Sequence, residues 1–87
     1  MLLSEINEKK NAVEEVRNAI GATKKFESNY QRRMNNIILA ICKEKNLFPL
    51  EVKSLPPGTE FTSKRVLKAS DEFSHWLSEC TGVLLLN

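Results

Sequence analysis

Histidine is nearly absent from this chain, with His75 the one copy in 87 residues. A pair of histidines at metal-ligating spacing is therefore excluded. Glycine is almost as scarce: three separated copies provide no Gly-rich loop to cradle a phosphate and no glycine-flanked serine elbow. The two cysteines, Cys42 and Cys80, lack the paired Cys-x-x-Cys spacing of structural zinc. Each falls in an apolar stripe at helical spacing, where a reduced, covered thiol is the simpler reading. His75 lies one helical turn from both Asp71 and Glu79, which suits a surface ion pair better than a proton carrier. The chain thus reads as non-enzymatic, with no catalytic, cofactor-binding or metal-ligating residues and no cofactor.

Long apolar runs are also lacking. The longest, Ile37 to Cys42, is six residues, against roughly 20 for a bilayer span, so no membrane partner is expected. Met1, Leu2 and Leu3 are followed at once by Ser4, Glu5 and Asn7, which leaves no signal-peptide core and implies a cytoplasmic location. Neither charge sign dominates: 13 Lys and Arg against 11 Asp and Glu give a net charge of +2. A polyanion partner would need those cations clustered. With 41% hydrophobic and 28% charged residues, the composition is that of an ordinary globular chain, and residues 1–87 read as a single helical domain. A chain this short buries only about 60–65% of its unfolded surface, so its stability margin is thin. The size and composition also suit compact genomes such as those of phages or plasmids.

What is present is a seven-residue repeat. Ile6, Val13, Ile20, Glu27, Met34 and Ile41 fall on one register, and Lys9, Val16, Thr23, Tyr30 and Ile37 on the positions three later; eight of these eleven are apolar. The pattern predicts a helix packed along its length against another, as in a coiled coil or helical hairpin. Ser4 reads as its N-cap, and Lys43, Lys45, Asn46 and Pro49 as its end. Gly21 interrupts it without shifting the phase. The expectation is therefore one long N-terminal helix, or two nearly collinear helices hinged between Gly21 and Thr23. Unbroken, it would run about 60 Å and residues 4–20 would project as a helical arm.

Leu50 to Ser54 alternates like a short strand. Pro56, Pro57 and Gly58 read as a turn, because Pro57 presets the first turn angle and Gly58 accepts the positive φ that follows. A C-terminal helix follows from an N-cap at Thr62, with Val66, Leu67, Phe73, Trp76, Leu77 and Cys80 at helical spacing and Gly82 as its stop. The tail at 83–86 is expected to be extended. The fold class is mainly α, a long N-terminal helix packed with a C-terminal helix, with short extended segments at about 50–54 and 83–86.

Two surfaces carry functional expectations. Ile6, Val13, Val16 and Ile20 lie far from the apolar second half of the long helix, and little of the chain remains to cover them. That stripe predicts a protein-binding face, through which the chain meets another protein or itself as a homo-oligomer. The function so implied is that of a small regulator, inhibitor or adaptor working through helical apolar surfaces. The alternative is a nucleic-acid-binding regulator, with Lys24, Lys25, Arg32 and Arg33 gripping phosphates and Tyr30 stacking on bases.

Overall fold

Two consecutive caps decide the architecture. Gly21 adopts the left-handed conformation, φ 78° and ψ 34°, and its amide donates to the Arg17 carbonyl at 3.0 Å. Two residues later Thr23 is extended, and its hydroxyl accepts from the Phe26 amide at 3.2 Å. A left-handed glycine closes one helix and a threonine N-cap opens the next. The chain reverses between them, and α1 (Leu3–Ile20) and α2 (Lys24–Lys45) form an antiparallel hairpin. Near the turn Arg17 meets Glu27; at the far end Ile6 shares a cleft with Ile37 and Ile41. The expectation of a continuous or nearly collinear rod is thereby corrected. Such a rod would be about 60 Å long, whereas the longest extent of the fold is 42 Å and its radius of gyration 13.4 Å. Nor do residues 4–20 project as an arm. The computed structural model describes residues 1–21 and 23–86, apart from the side chains of 83–86.

The third helix, α3 (Lys64–Leu86), packs against both arms of the hairpin. It runs parallel to α1 and antiparallel to α2: Ser70 faces Lys9, Trp76 stacks on Phe26, and Ser63 meets Glu44. The mainly helical fold, with the N-terminal helix packed on the C-terminal one, is as the sequence implied. Val13, Ile37, Ile41, Phe61, Val66 and Phe73 are each no more than 1% exposed and form its centre. Each such side chain contributes about 1.5–3 kcal/mol through burial alone.

The three polar breaks in the heptad stripe all have partners. Thr23 is the N-cap of α2. Glu27 pairs with Arg17, Nε to Oε1 at 2.7 Å, holding the last turn of α1 to the first turn of α2. Each of these charges also suits its own helix dipole. Lys9 donates through Nζ to the hydroxyl of Ser70, which is fully buried on α3.

Both expected extended segments are helical. Pro49–Ser54 is a 3-10 helix, in which Pro49 occupies a first-turn position that needs no amide donor. Pro49, Val52 and Leu55 recur every third residue and line a cleft with Leu3 and Ile37, matching the 3-10 period rather than the strand period. With no strand there to pair with, the segment at 83–86 does not extend either. Gly82 does not stop α3, which continues to Leu86.

Two boundaries move for a related reason. α1 begins at Leu3 rather than after Ser4, because Leu3 donates to the Thr59 carbonyl at 3.0 Å and Phe61 donates to that of Met1 at 2.9 Å. This single antiparallel bridge, Leu2 to Glu60, fixes the entry of the chain. At α3 the hydroxyl of Ser63, not Thr62, accepts from the Val66 amide at 3.2 Å. The other ends agree with the sequence: Asn46 is left-handed at φ 56°, and Gly58 takes φ 91° in a turn closed by Thr59 to Pro56.

Candidate interaction surface

A helix packed on one side presents its other side to water, and on α2 the outer face carries Arg32, Asn36, Leu39 and Lys43 at three- and four-residue spacing. The run from Ile37 to Cys42 reads as apolar all round, but the bundle covers only part of it. Ile37, Ala40 and Ile41 are buried, Ile38 and Cys42 are half-buried, and Leu39 is 59% exposed. Across from Leu39 the 3-10 helix holds Leu50 84% exposed, next to Phe48 at 76%. Ile38, Leu39, Pro49 and Leu50 line one shallow groove with Asn35 and Lys53.

Leu39 is also the rim of a second groove, between α2 and α3. The small side chains of Ala40 and Ala69 form its floor, and Lys64, Arg65 and Lys68 rise from its α3 side with Glu72 as the lining carboxylate. Leu39 is therefore a ridge between two grooves, flanked by cations from α2, the 3-10 helix and α3. Sequence periodicity could not find it, because the deciding fact is which face of α2 the bundle leaves uncovered.

The loop carrying Phe48 and Leu50 is held at both ends. On entry, the Leu47 amide donates to the Cys42 carbonyl at 3.0 Å. On exit, Glu44 Oε1 accepts from the amides of Thr62 and Ser63, at 2.7 and 2.5 Å, ahead of the first turn of α3. Burial pushes the Glu44 carboxyl up, but the Ser63 and Thr62 amides, with Lys45 and the Ser63 hydroxyl, outweigh it and hold the group below its ordinary value.

The surface expected on the N-terminal stripe is not exposed. Ile6, Val13 and Val16 are 5%, 1% and 5% accessible, and Ile20 is half-buried beside Trp76 and Cys80. The hairpin supplies the cover that a projecting rod would lack, so these residues are core.

The basic stretch is divided in the same way. Lys24 and Lys25 are exposed at the turn end of the bundle, over 20 Å, roughly, along α2 from the lysines of the α3 groove. Tyr30 is half-buried against Phe73, centroids 6.2 Å apart, with the Arg17 guanidinium over its ring at 5.5 Å. Arg33 is half-buried over Trp76 at 5.6 Å, and Trp76 in turn stacks on Phe26 at 5.0 Å. Neither aromatic of the stretch is free to take a base. Arg32 is exposed, donates to Asn29 at 3.1 Å, and belongs to the outer face of α2.

The remaining titratable groups lie outside these two grooves. His75 pairs with Glu79 at 3.0 Å on the open surface. Burial raises the Cys80 thiol above its ordinary value, with Glu79 adding to the rise and Arg33 opposing it. Burial lowers the Lys9 ammonium, against the pull of Asp71 and Glu5. Among the described residues no group of three or more His, Cys, Asp or Glu is placed to hold a metal ion, and no helix is long and apolar enough to cross a membrane. No family model, curated protein or solved structure matches the chain.

Proposed function

We propose that this protein is a noncatalytic binding module, a small regulator, inhibitor or adaptor that acts on another protein through an apolar helical surface. The observation that carries this reading is the Leu39, Phe48 and Leu50 group, three large apolar side chains more than half exposed at one end of the bundle. Leu39 and Leu50, from two different elements, share one groove with Ile38 and Pro49, and apolar side chains brought together in this way, rather than scattered singly, suit a partner surface. The surface lies on α2 and the 3-10 helix, in place of the N-terminal stripe that serves as core.

The test is a paired capture from the native host using the parent and Leu39→Ser/Leu50→Ser, both first checked for equal melting temperature. A protein partner retained by the parent and lost by the variant supports the reading. Identical partner sets for the two would remove the apolar group from consideration. Light scattering on the same pair reads self-association: a parent dimer that the variant lacks would make a second copy the partner. A nucleic-acid-binding role remains the second reading, favoured by Lys64, Arg65 and Lys68 lining one groove, with Arg32 also exposed on the outer face of α2. It predicts tight, salt-sensitive binding of single-stranded DNA or RNA that survives the leucine changes.

A further inference from the structure

We propose that the occupant of the Leu39 ridge is an acidic amphipathic helix of a partner protein, seated along the groove between α2 and α3; this rests on the protein-binding reading above. The argument begins with shape. A ridge with a groove on each side, the one beside α3 floored by Ala40 and Ala69, accepts a row of projecting side chains. An amphipathic helix supplies such a row from positions i, i+3, i+4 and i+7.

Charge then selects the helix. Arg32 and Lys43 extend the outer face of α2, Lys53 borders the groove beside the 3-10 helix, and Lys64, Arg65 and Lys68 border the one beside α3. Glu72 is the lining carboxylate of the α3 groove, and Glu51 on the 3-10 helix turns to the Phe48 amide at 3.3 Å. Net charge over the whole chain is only +2, so this excess is local to the ridge. Lys64 and Lys68 stand one turn apart, about 6 Å along the axis. Carboxylates at i and i+4 on a helix aligned with α3 have the same spacing, so one register satisfies both cations while leucines meet Leu39. A basic or neutral helix with the same apolar face would leave these cations opposed or unpaired.

The experiment uses the full chain and two designed helical peptides that share one leucine face. One carries Glu on the flanking positions and the other carries Lys. Binding is followed by anisotropy of the labelled peptide and by amide chemical shifts of the protein. The expected result is that the Glu peptide shifts Leu39, Leu50, Lys64 and Lys68 and binds about tenfold more tightly than the Lys peptide, as two exposed ion pairs allow. Lys64→Glu/Arg65→Glu/Lys68→Glu should reverse the order of the two peptides, an outcome that misfolding would not produce.

Equal binding of both peptides at the ridge would overturn the acidic occupant and leave the protein-binding reading standing. Failure of both peptides to shift Leu39 or Leu50 would overturn both. Stronger binding of the same residues to phosphatidylglycerol vesicles, or to an oligothymidine strand, would replace the helix with a lipid surface or a nucleic acid. Ridge shifts that grow with protein concentration in the absence of peptide would replace it with a second copy of the chain.

Discussion

Gly21→Ala separates the hairpin from a continuous helix by the sign of a stability change. Gly21 sits at φ 78°, and a methyl group built there meets no atom within 4 Å. Packing therefore contributes nothing and the cost is conformational. Holding alanine in the left-handed region costs roughly 1–2 kcal/mol. The substitution also stiffens the unfolded chain, which offsets about 0.4–1 kcal/mol. The net loss is about 1 kcal/mol, a fall in melting temperature of roughly 4–8 °C for a domain of this size. Gly82 provides the internal control: it lies inside α3, has no positive φ, and also has open space around it. There alanine should gain about 1 kcal/mol, the ordinary helix-interior difference. Thermal denaturation followed by far-ultraviolet circular dichroism reads both variants against the parent. In a helix running unbroken through residue 21, both substitutions would stabilise. A melting temperature raised by Gly21→Ala would therefore refute the reversal of the chain and the packing derived from it.

Trp76 is 7% exposed and touches Phe26, Phe73 and Arg33. Trp76→Ala should cost about 3–5 kcal/mol, enough to unfold much of a marginal domain, as urea titration would show. Glu44→Gln weakens a carboxylate that accepts two amide hydrogen bonds, and a loss of about 1 kcal/mol at neutral pH is expected by analogy with N-caps. Because the Glu44 carboxyl is held below its ordinary value of 4.5, its contribution is present above that pH and is lost as pH falls through the lower folded value. Urea midpoints below pH 4.5 should consequently fall more steeply for the parent than for Glu44→Gln; parallel curves would show that the clip adds nothing. Cys80, with its thiol raised by burial, should react with Ellman's reagent more slowly at neutral pH in the folded protein than in urea.

Much of the fold was legible because local rules governed it. The positions of Gly58, Asn46 and the apolar side chains of α3 other than Leu67, which is exposed, follow from turn angles and helical spacing alone. The heptad pattern admits a hairpin as well as a coiled coil, and the preference for a continuous or nearly collinear axis fails at Gly21. A heptad register states which face of a helix is buried, but it says nothing about whether the axis reverses at a break. Ile6 and Ile41 share a register because both arms turn those positions into one core, and their common phase across Gly21 does not require a common axis. The informative signal was Gly21 followed by Thr23, a helix end set directly against a helix start. Leu50 to Ser54 shows the opposite difficulty, since alternation suggested a strand that has no neighbour to pair with. Glu44 lies beyond sequence reasoning altogether: its amide partners are 18 and 19 residues away, and no periodic pattern connects them.

The distribution of the core along the chain sets an order on biosynthesis. Phe61, Val66, Phe73 and Trp76 all belong to the C-terminal third, yet they cover Val13, Ile37 and Ile41 in the N-terminal two-thirds. While α1 and α2 leave the ribosome, their apolar faces have only each other. The 23 residues of α3 take roughly 1–5 s to be added at ordinary elongation rates of about 5–20 residues per second. That interval exceeds the time two short helices need to form and collide. A nascent chain whose Val13, Ile37 and Ile41 still lack the cover of α3 is therefore expected for seconds in each round of translation, and it is then, rather than in the finished bundle, that these side chains would be open to chaperones.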